Sequence, residues 1–385
     1  MKFISRVSEQ AAPEDLVREL VEGVSEQLAG TADLAVLFVT AALVPSVEAL
    51  VAGIHAALRP GTMIGITGEG VLGGEVEIER RPGAALWVGT LPGVTLHAFH
   101  IGMREWAELL EDEEKLKQRV GAENRAQLLL GDPFTTPIDQ VLERFDTWLK
   151  APTFGGMGSA AQSPGGNRLI LNDQVYTDGS VGIGFSGALR VETVVSQGCR
   201  PIGKPLIVTR VEEGMVAELG RRPALEVTQE LLRSLPPEDQ SLLENGLFAG
   251  IVINEYQESF QRGDFLVRGV LGANPQTGAI AVGDQVRAGQ TLQFHVRDAA
   301  TAHEDLTELL RPEREADAPA GALLFSCNGR GLRMFEQPHH DIRTTRDLLP
   351  GLPVAGFFAM GELGPVGGKS FIHGHTASLA IFRPA

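Results

Sequence analysis

The chain has 385 residues, of which 43% are hydrophobic and 21% are charged, and its formal net charge is −16. This length allows two or three domains with ample cores, and an acidic chain without a Lys/Arg cluster excludes a nucleic-acid partner and an anionic membrane surface. Its two cysteines, Cys199 and Cys327, cannot form a disulfide framework or a zinc site and are typical of a reducing compartment. Without an apolar signal region or about 18 consecutive apolar residues, we predict a cytoplasmic protein.

In chain order, the first predicted element is an amphipathic helix over 13–29, where apolar residues recur at four-residue spacing. Short strands separated by turn residues are predicted within 75–101 and 167–198, and a hairpin over 205–219. Further strands joined by tight turns are predicted over 247–298. We therefore expect meanders of antiparallel strands between the helical segments.

Three segments repeat one pattern: an apolar strand, a helix, a second apolar strand and a glycine-rich turn. Their strands are LAVLFVT (34–40) and MIGITGEG (63–70), QLLLGDPF (127–134) and TFGGMGSA (153–160), and ALLFSCNGRG (322–331) and VAGFFAMGELG (354–364). Strand–helix–strand units indicate parallel strand pairs. The sequence therefore predicts a mixed α/β (α+β) fold with an internal pseudo-duplication, in which helices cover mixed sheets.

The predicted domain boundaries follow composition. LPPEDQ (235–240), with two prolines and two acids, is the best linker candidate. We predict an N-terminal helix within 1–31, a first domain over 32–235 and a second over 240–385.

Two glycine-rich motifs lack the context that their usual functions require. GIGFSG (182–187) matches a dinucleotide-binding fingerprint, but the β-branched run after it has no helical period. GPVGGKS (364–370) is one residue short of a phosphate-binding loop and no helix follows it. Both segments are better explained as strands and turns.

The candidate ligand-binding residues lie in the glycine-rich loops that follow the strands. Arg330, between two glycines, can clamp a carboxylate or phosphate, and glycine-flanked Glu69 and Glu362 can accept hydrogen bonds from an amine or hydroxyl. Backbone N–H groups near Ser159 can face a ligand. The predicted set is Glu69, Gly70, Gly156, Ser159, Cys327, Asn328, Arg330, Gly361 and Glu362.

Two other site chemistries stay open. His373 and His375 alternate along a predicted strand, so both imidazoles can face one metal or haem iron, with Glu362 as a third ligand. Cys327 can act as a nucleophile if cationic neighbours lower the pKa of its thiol, with one of these histidines as its base. The leading prediction has no metal, no cofactor and no catalytic residue.

Four stretches of the chain resemble the FIST family, named for F-box and intracellular signal transduction. They are GCRPIGKPLIVTRVEEGMVAEL (198–219), DFLVRGVLGANPQTGAIAVGDQVRAGQTLQFHVRD (264–298), the Cys-x-x-Arg-Gly run (327–331) and GFFAMGELGPVGGKSFIHGHTASLAIF (356–382). The resemblance implies an N-terminal FIST domain over 32–235 and a C-terminal one over 240–385. It also implies a sensory module that binds small ligands, amino acids among those proposed, and haem in some bacterial members.

Together, these observations predict a non-catalytic sensory protein for a small molecule, whose ligand is held by glycine-rich loops at strand ends. No nucleophile–base–orienter set is apparent in the sequence. Its expected partners are a small-molecule ligand and either a signalling protein or a second copy of the chain. The alternatives are a haem- or metal-dependent gas sensor and a Cys327-dependent hydrolase or transferase.

Overall fold

The computed structural model describes residues 1–28, 30–257 and 259–385. The chain divides into two compact units: unit 1 comprises Met1–Val195 and Leu306–Ala385, and unit 2 comprises Ser196–Asp305. The predicted mixed α/β class is confirmed. The units do not follow the predicted linker at 235–240, because unit 2 spans it and both chain ends belong to unit 1.

Unit 1 is built from three copies of one extended repeat. The first copy consists of β1 (Lys2–Ser8), α1 (Pro13–Val21), α2 (Val24–Leu28), β2 (Leu34–Thr40), α3 (Val47–Leu58), β3 (Thr62–Gly68), β4 (Gly70–Gly73), β5 (Val76–Glu79) and β6 (Ala84–Thr90). The N-terminal segment predicted as a helix thus also contains a strand, β1, which pairs with β6.

The second copy repeats this order of elements. It consists of β7 (Val94–Ile101), α4 (Met103–Leu109), α5 (Glu113–Val120), β8 (Ala126–Gly131), α6 (Ile138–Arg144), β9 (Thr153–Met157), β10 (Leu169–Leu171), β11 (Gln174–Tyr176) and β12 (Ser180–Gly187). The helix α6 continues into one π-helical turn at Phe145–Leu149.

The third copy begins with β13 (Leu189–Gln197) and resumes after unit 2. The elements of unit 2 are β14 (Cys199–Glu212), β15 (Met215–Leu219), β16 (Arg222–Pro223), α7 (Ala224–Ser234), α8 (Pro237–Leu242), β17 (Phe248–Val252), β18 (Phe265–Asn274), β19 (Ala279–Val282) and β20 (Thr291–Arg297). The rest of the third copy is α9 (Ala299–Glu315), β21 (Gly321–Cys327), α10 (His340–Leu348), β22 (Val354–Ala359), β23 (Glu362–Val366), β24 (Lys369–His373) and β25 (Thr376–Pro384).

Each copy forms the centre of one six-stranded mixed sheet. The strand orders are β1-β6-β2-β3-β10-β11, β7-β12-β8-β9-β23-β24 and β13-β25-β21-β22-β4-β5. The predicted parallel pairs β2–β3, β8–β9 and β21–β22 are all confirmed. A hairpin leaves each copy and extends the sheet of another: β4–β5 joins β22, β10–β11 joins β3, and β23–β24 joins β9. The exchange runs in one direction around the three copies, so they interlock.

A single aromatic core is shared by the three copies. Phe38 of the first copy stacks on Phe357 of the third, with ring centroids 5.3 Å apart, and Phe154 of the second lies 6.5 Å from Phe325 of the third. All four rings are buried. The central strands are therefore apolar on both faces, as strands covered on both sides require.

Among the described residues, one stretch, Ala41–Leu58, is long and apolar enough to cross a membrane by length and composition. It forms a 3-10 turn and then α3, whose Leu50 and Ile54 are buried in the same core cluster as Leu37 of β2. The apolar side of this helix thus packs against the first sheet.

Unit 2 is an antiparallel barrel. Its strands follow the order β14-β20-β17-β18-β19-β15, and β14 also pairs with β15, which closes the sheet on itself. Leu219, Ile251, Leu292 and Phe294 belong to its buried core. The predicted hairpin over 205–219 is confirmed as β14–β15, and part of the predicted linker forms the start of α8.

Candidate functional site

The three copies meet where their hairpins cross from one sheet to the next. The backbone N–H of Glu69 donates to the Ser159 Oγ at 2.7 Å, and the Ser159 hydroxyl donates to the Phe358 carbonyl. The N–H of Met157 donates to the Gly361 carbonyl at 2.9 Å. We call residues 67–70, 157–159 and 358–362 the three-repeat junction. Direct hydrogen bonds there connect all three copies.

The predicted site glycines allow these crossings to pack closely. A Cβ atom at Gly70 would lie 2.7 Å from the Phe358 ring, and one at Gly156 would lie 3.0 Å from the Cβ of Ala359. Gly361 has φ 117, a conformation that side chains strongly disfavour. Their observed role is thus to let backbones approach each other.

At the outer side of the junction, the Glu69 carboxylate is paired with an arginine that the sequence analysis did not select. The Nη1 of Arg333 lies 2.8 Å from one Glu69 oxygen and donates to the Asn328 carbonyl at 2.6 Å. The side chains of Arg333 and Glu69 are 43% and 29% exposed. A partly exposed ion pair of this kind contributes little to stability, so a ligand can displace it at small cost.

A small cavity lies behind this ion pair. Its volume is about 10 Å³, the space of about one water molecule. The lining residues are Glu69, Gly70, Glu79, Arg80, Asn328, Arg333 and Phe358. Two carboxylates and two guanidinium groups therefore surround it, and their charges sum to zero.

Two of the lining residues, Arg80 and Glu79, have unusual properties. Arg80 has φ 58, a left-handed conformation uncommon outside glycine, and within the described part of the chain its side chain makes no hydrogen bond or ion pair. Burial raises the pKa of Glu79, although the Leu332 N–H and the charge of Arg80 partly offset this. A strained backbone conformation and a carboxyl group with a raised pKa are both features that occur often at functional sites.

On the inner side, the guanidinium of Arg330 is fully buried and bonded to a carboxylate of the chain itself. Its Nε and Nη2 donate to the two oxygens of Asp341 at 2.8 and 2.7 Å, and the Ser326 hydroxyl donates to the same carboxylate at 2.6 Å. Burial alone would raise the pKa of Asp341, but the charge and hydrogen bonds of Arg330, together with the contact from His340, outweigh burial, and the net shift is downward. The guanidinium of Arg330, which we expected to hold a ligand carboxylate, is therefore largely occupied by Asp341.

A second buried carboxyl supports the same helix. The Oε1 of Glu77 accepts the N–H groups of Asp341 and Ile342, the first turn of α10, at 2.9 and 3.0 Å. Burial, together with the nearby charge of Asp341, raises the pKa of Glu77 to about 8. Glu77 therefore caps the start of α10, although its two N–H contacts there partly offset the rise in its pKa.

Glu362 is fully buried at the start of β23. Its Oε2 accepts from the Thr376 hydroxyl at 2.8 Å, whereas its Oε1 and the Nη1 of Arg330 find no partner among residues 1–28, 30–257 and 259–385. Burial raises the pKa of Glu362 to about 8, although Thr376 and the charge of Arg330 favour the ionised form. A buried acceptor and a buried donor thus remain near the junction, and buried polar atoms without a partner call for a water or a ligand.

Cys327 ends β21 and is buried, and its Sγ accepts the Gly329 N–H at 3.4 Å. Cys199, the other cysteine of the chain, is buried too. The predicted use of Cys327 as a nucleophile needs a nearby histidine base, but His373 directs its Nε2 to the Gly364 carbonyl at 2.9 Å. A catalytic role for Cys327 stays a prediction.

The predicted alternation of His373 and His375 along one strand is wrong. β24 ends at His373, and His375 lies in the following turn with φ 63. A turn breaks the period-two alternation that would put both imidazoles on one face. Over the ranges that the structure describes, no group of three or more His, Cys, Asp and Glu side chains is arranged to hold a metal ion.

The residues around this junction and cavity thus include several side chains that were not among the predicted site residues. Arg333 and Asp341 follow Arg330 in the same loop and the next helix, and Glu79 and Arg80 end the hairpin after Glu69. The proximity of Arg333 to Arg330 in the sequence was an available signal. No signal in the sequence indicated that Glu79 and Arg80 of hairpin β4–β5 would contribute, because their position depends on which sheet this hairpin joins.

Comparison with known proteins identifies the family of this chain. Family models match residues 33–222, described as the FIST N domain, and residues 224–365, described as the FIST C domain. The chain belongs to the FIST family. This FIST protein is 42% identical over 364 residues to an uncharacterized protein of Mycobacterium tuberculosis (strain ATCC 25618 / H37Rv), with 93% of each chain covered. It is 39% identical to an uncharacterized protein of Mycobacterium bovis (strain ATCC BAA-935 / AF2122/97), over 93% of this chain and 92% of that one.

Family membership gives this FIST protein a general role in sensory signal transduction. The boundary between the two family domains, at residue 223, lies inside the barrel of unit 2. The three-repeat junction takes residues from both family domains, Glu69 and Ser159 from the first and Phe358 and Glu362 from the second. Neither family domain alone contains the whole site.

Proposed function

We propose that this chain is a non-catalytic sensory protein that binds a small zwitterion, such as an amino acid, at the three-repeat junction. The supporting observation is the cavity behind the Glu69–Arg333 ion pair, which is lined by two acids and two arginines. An amino acid carries one positive and one negative group. It can replace the internal ion pair without leaving either charge unpartnered.

The residues have distinct expected roles in this proposal. The ligand carboxylate binds Arg80 and Arg333, whose guanidinium forks match its geometry. The ligand ammonium binds Glu69 and Glu79. Because the cavity has room for only about one water molecule, the Arg333 side chain must swing outward to admit the ligand. Binding thus changes the loop that carries Arg333, as a sensor requires.

Two further expectations follow from the sensory role. A ligand-induced change must be passed on, so we expect a signalling partner or a second copy of this chain to read it. A chain with only two cysteines, Cys199 and Cys327, both of them buried, fits the reducing conditions of the cytoplasm.

A thermal-shift panel of single amino acids at millimolar concentration tests this function. A binder at about 100 times its dissociation constant adds about 2.7 kcal/mol to the free energy of unfolding. Glu69→Gln and Arg333→Gln should abolish this gain. Arg119→Gln is the matched control, because Arg119 and Glu105 form an ion pair that is 42% and 47% exposed elsewhere on unit 1.

Two results would count against the proposal. If no amino acid stabilises the wild-type chain, the ligand class is wrong. If a stabilising amino acid acts equally on Glu69→Gln, Arg333→Gln and Arg119→Gln, the site is elsewhere.

A further inference from the structure

A groove beside strand β1 differs in charge from the chain as a whole. Two cavities of about 390 and 560 Å³ adjoin at Glu75 and Arg346. The first is bordered by Lys2 and Arg6 of β1, and the second by the face of α10 that carries Arg343. We call this region the β1–α10 groove. Cavities of this size are typical of small-molecule sites.

Cations outnumber acids in the groove. Four cationic side chains line it, against the two carboxylates of Glu75 and Asp347, in a chain whose formal net charge is −16. The Nδ1 of His339 accepts the Glu77 N–H at 2.9 Å, so the proton of the neutral ring is on Nε2. Burial, with the nearby charge of Arg343, lowers the pKa of His339 and keeps it neutral. His339 therefore adds a hydrogen-bond donor to the groove.

Most of these cations are available to a ligand. Across the described ranges, the Arg6 side chain has no hydrogen bond or ion pair, and Arg343 makes only a long contact of 3.4 Å with the Pro338 carbonyl. Arg346 pairs with Glu75, whose side chain is 72% exposed. An ion pair this exposed holds its arginine weakly. An anion that enters the groove can therefore replace Glu75 as the partner of Arg346.

In unit 1, each exchanged hairpin packs beside the first strand of a copy, and we call each of these contacts a seam. The β1–α10 groove lies at the first seam, and the other two seams differ from it in the charges of their residues. A Cβ at Gly73 would meet Val7 of β1, and one at Gly364 would meet Val195 of β13, so hairpins β4–β5 and β23–β24 pack in equivalent places. Beside β23–β24, a cavity of about 440 Å³ is lined by one acid, Asp146, and one base, Lys150.

At the third seam, beside hairpin β10–β11, Tyr176 stacks on His100 at 3.7 Å. A shared scaffold accounts for the presence of the seams. The shared scaffold does not account for the four cations that line the β1–α10 groove.

We propose that the β1–α10 groove binds a small molecule that carries two or more anionic groups, either phosphates or carboxylates. One anionic group contacts Arg343 and Arg346, and a second contacts Arg6 and Lys2 at the other end of the groove. Arginine is suited to this role because its planar fork binds phosphate and carboxylate oxygens in pairs. This site is separate from the three-repeat junction, and its test does not depend on the amino-acid ligand.

Calorimetric titration of the full chain with sodium tripolyphosphate and with citrate, each in 0.15 M salt, tests the proposal. The salt screens weak surface attraction, and the two probes distinguish phosphate from carboxylate chemistry. We expect wild-type chain to bind at least one probe with a dissociation constant below about 1 mM. The double variant Arg343→Gln/Arg346→Gln should weaken that binding at least tenfold.

A charge-matched variant separates the groove from general electrostatics. The double variant Arg119→Gln/Arg190→Gln also removes two positive charges, but from exposed positions elsewhere on unit 1. It should change the affinity less than twofold. If the double variant is unstable, Arg6→Gln replaces it in the test, because this substitution breaks no contact in the described chain. Arg6→Gln should weaken binding about threefold or more. Absence of binding of both probes, or equal loss in the groove and control variants, would overturn the proposal.

Discussion

At the scale of single residues, the Arg330–Asp341 pair holds the interior of the third repeat together. Both side chains are buried, and two hydrogen bonds join them. Asp341→Ala leaves a buried guanidinium without its counter-charge, which typically costs about 3–5 kcal/mol. Urea unfolding should show this loss. Asp15→Ala, which breaks the exposed Asp15–Arg18 pair, should cost at most about 1 kcal/mol, and equal losses in both variants would contradict the assignment.

The buried carboxyl of Glu362 makes stability depend on pH. Its pKa is about 8 in the folded chain, above its ordinary value of 4.5. Between these values the folded chain holds a proton that the unfolded chain has released. The stabilisation is thus fully present below pH 4.5 and is lost as the pH rises to about 8.

Unfolding free energies measured from pH 5 to 8 test this effect. The wild-type chain should lose stability across the range, and Glu362→Gln, which cannot ionise, should show a flatter slope. Asp146→Asn is a useful comparison, because burial raises the pKa of this half-buried carboxyl too, but it lies away from the junction. A Glu362→Gln slope as steep as that of the wild type would refute the role of Glu362.

The sequence could identify the site loops but not the partners of their side chains. Glycine-flanked Glu69, Arg330 and Glu362 were visible as unusual residues at strand ends. That Arg330 binds Asp341 and that Arg333 binds Glu69 depends on loop conformations that no local pattern specifies. The ligand role first given to Arg330 therefore passes to Arg333 and Arg80 in the proposed site.

At the scale of elements, the hairpins are closely packed where they cross from one sheet to the next. Gly70→Ala would place a methyl group 2.7 Å from the Phe358 ring and 2.8 Å from the Ile78 carbonyl. Overpacking of this kind costs about 1–3 kcal/mol. Thermal unfolding should show the loss, whereas Gly374→Ala, at a position with open space around it, should be nearly neutral. Equal tolerance of both substitutions would contradict close packing at Gly70.

The strand–helix–strand units could be predicted because their signals are local. Apolar strands, helical periodicity and terminal glycines recur three times, and all three predicted parallel pairs are confirmed. The exchange of hairpins could not be predicted, because β4 pairs with a strand about 280 residues later in the chain. Pairing at such separation is decided by tertiary packing, and periodicity carries no information about it.

At the scale of the whole molecule, each compact unit has its own core. Phe38 belongs to the aromatic core of unit 1 and Phe294 to the barrel core of unit 2. Separate cores allow separate cooperative unfolding. We therefore expect calorimetry to resolve two transitions.

Matched core substitutions assign those transitions. Phe38→Ala and Phe294→Ala should each destabilise one unit by about 3–5 kcal/mol and shift only the corresponding transition. A single transition that both substitutions shift equally would contradict the division into two units.

The insertion of unit 2 was not apparent from the sequence. Short strands separated by turn residues were predicted both before and inside unit 2, and the prolines at 236 and 237 suggested a linker. In the fold these prolines lie at the start of α8, inside unit 2. The order of the elements, and not composition, shows where the third copy is interrupted.

The central claim is that the ligand binds where the three repeats cross. Hydrogen exchange of the full chain, measured with and without an amino acid that stabilises it, tests this location directly. We predict simultaneous protection of the segments containing Glu69, Asn328–Arg333 and Gly361, which are far apart in sequence and meet at the junction. Protection confined to residues 196–305, or to only one of those three segments, would contradict the claim.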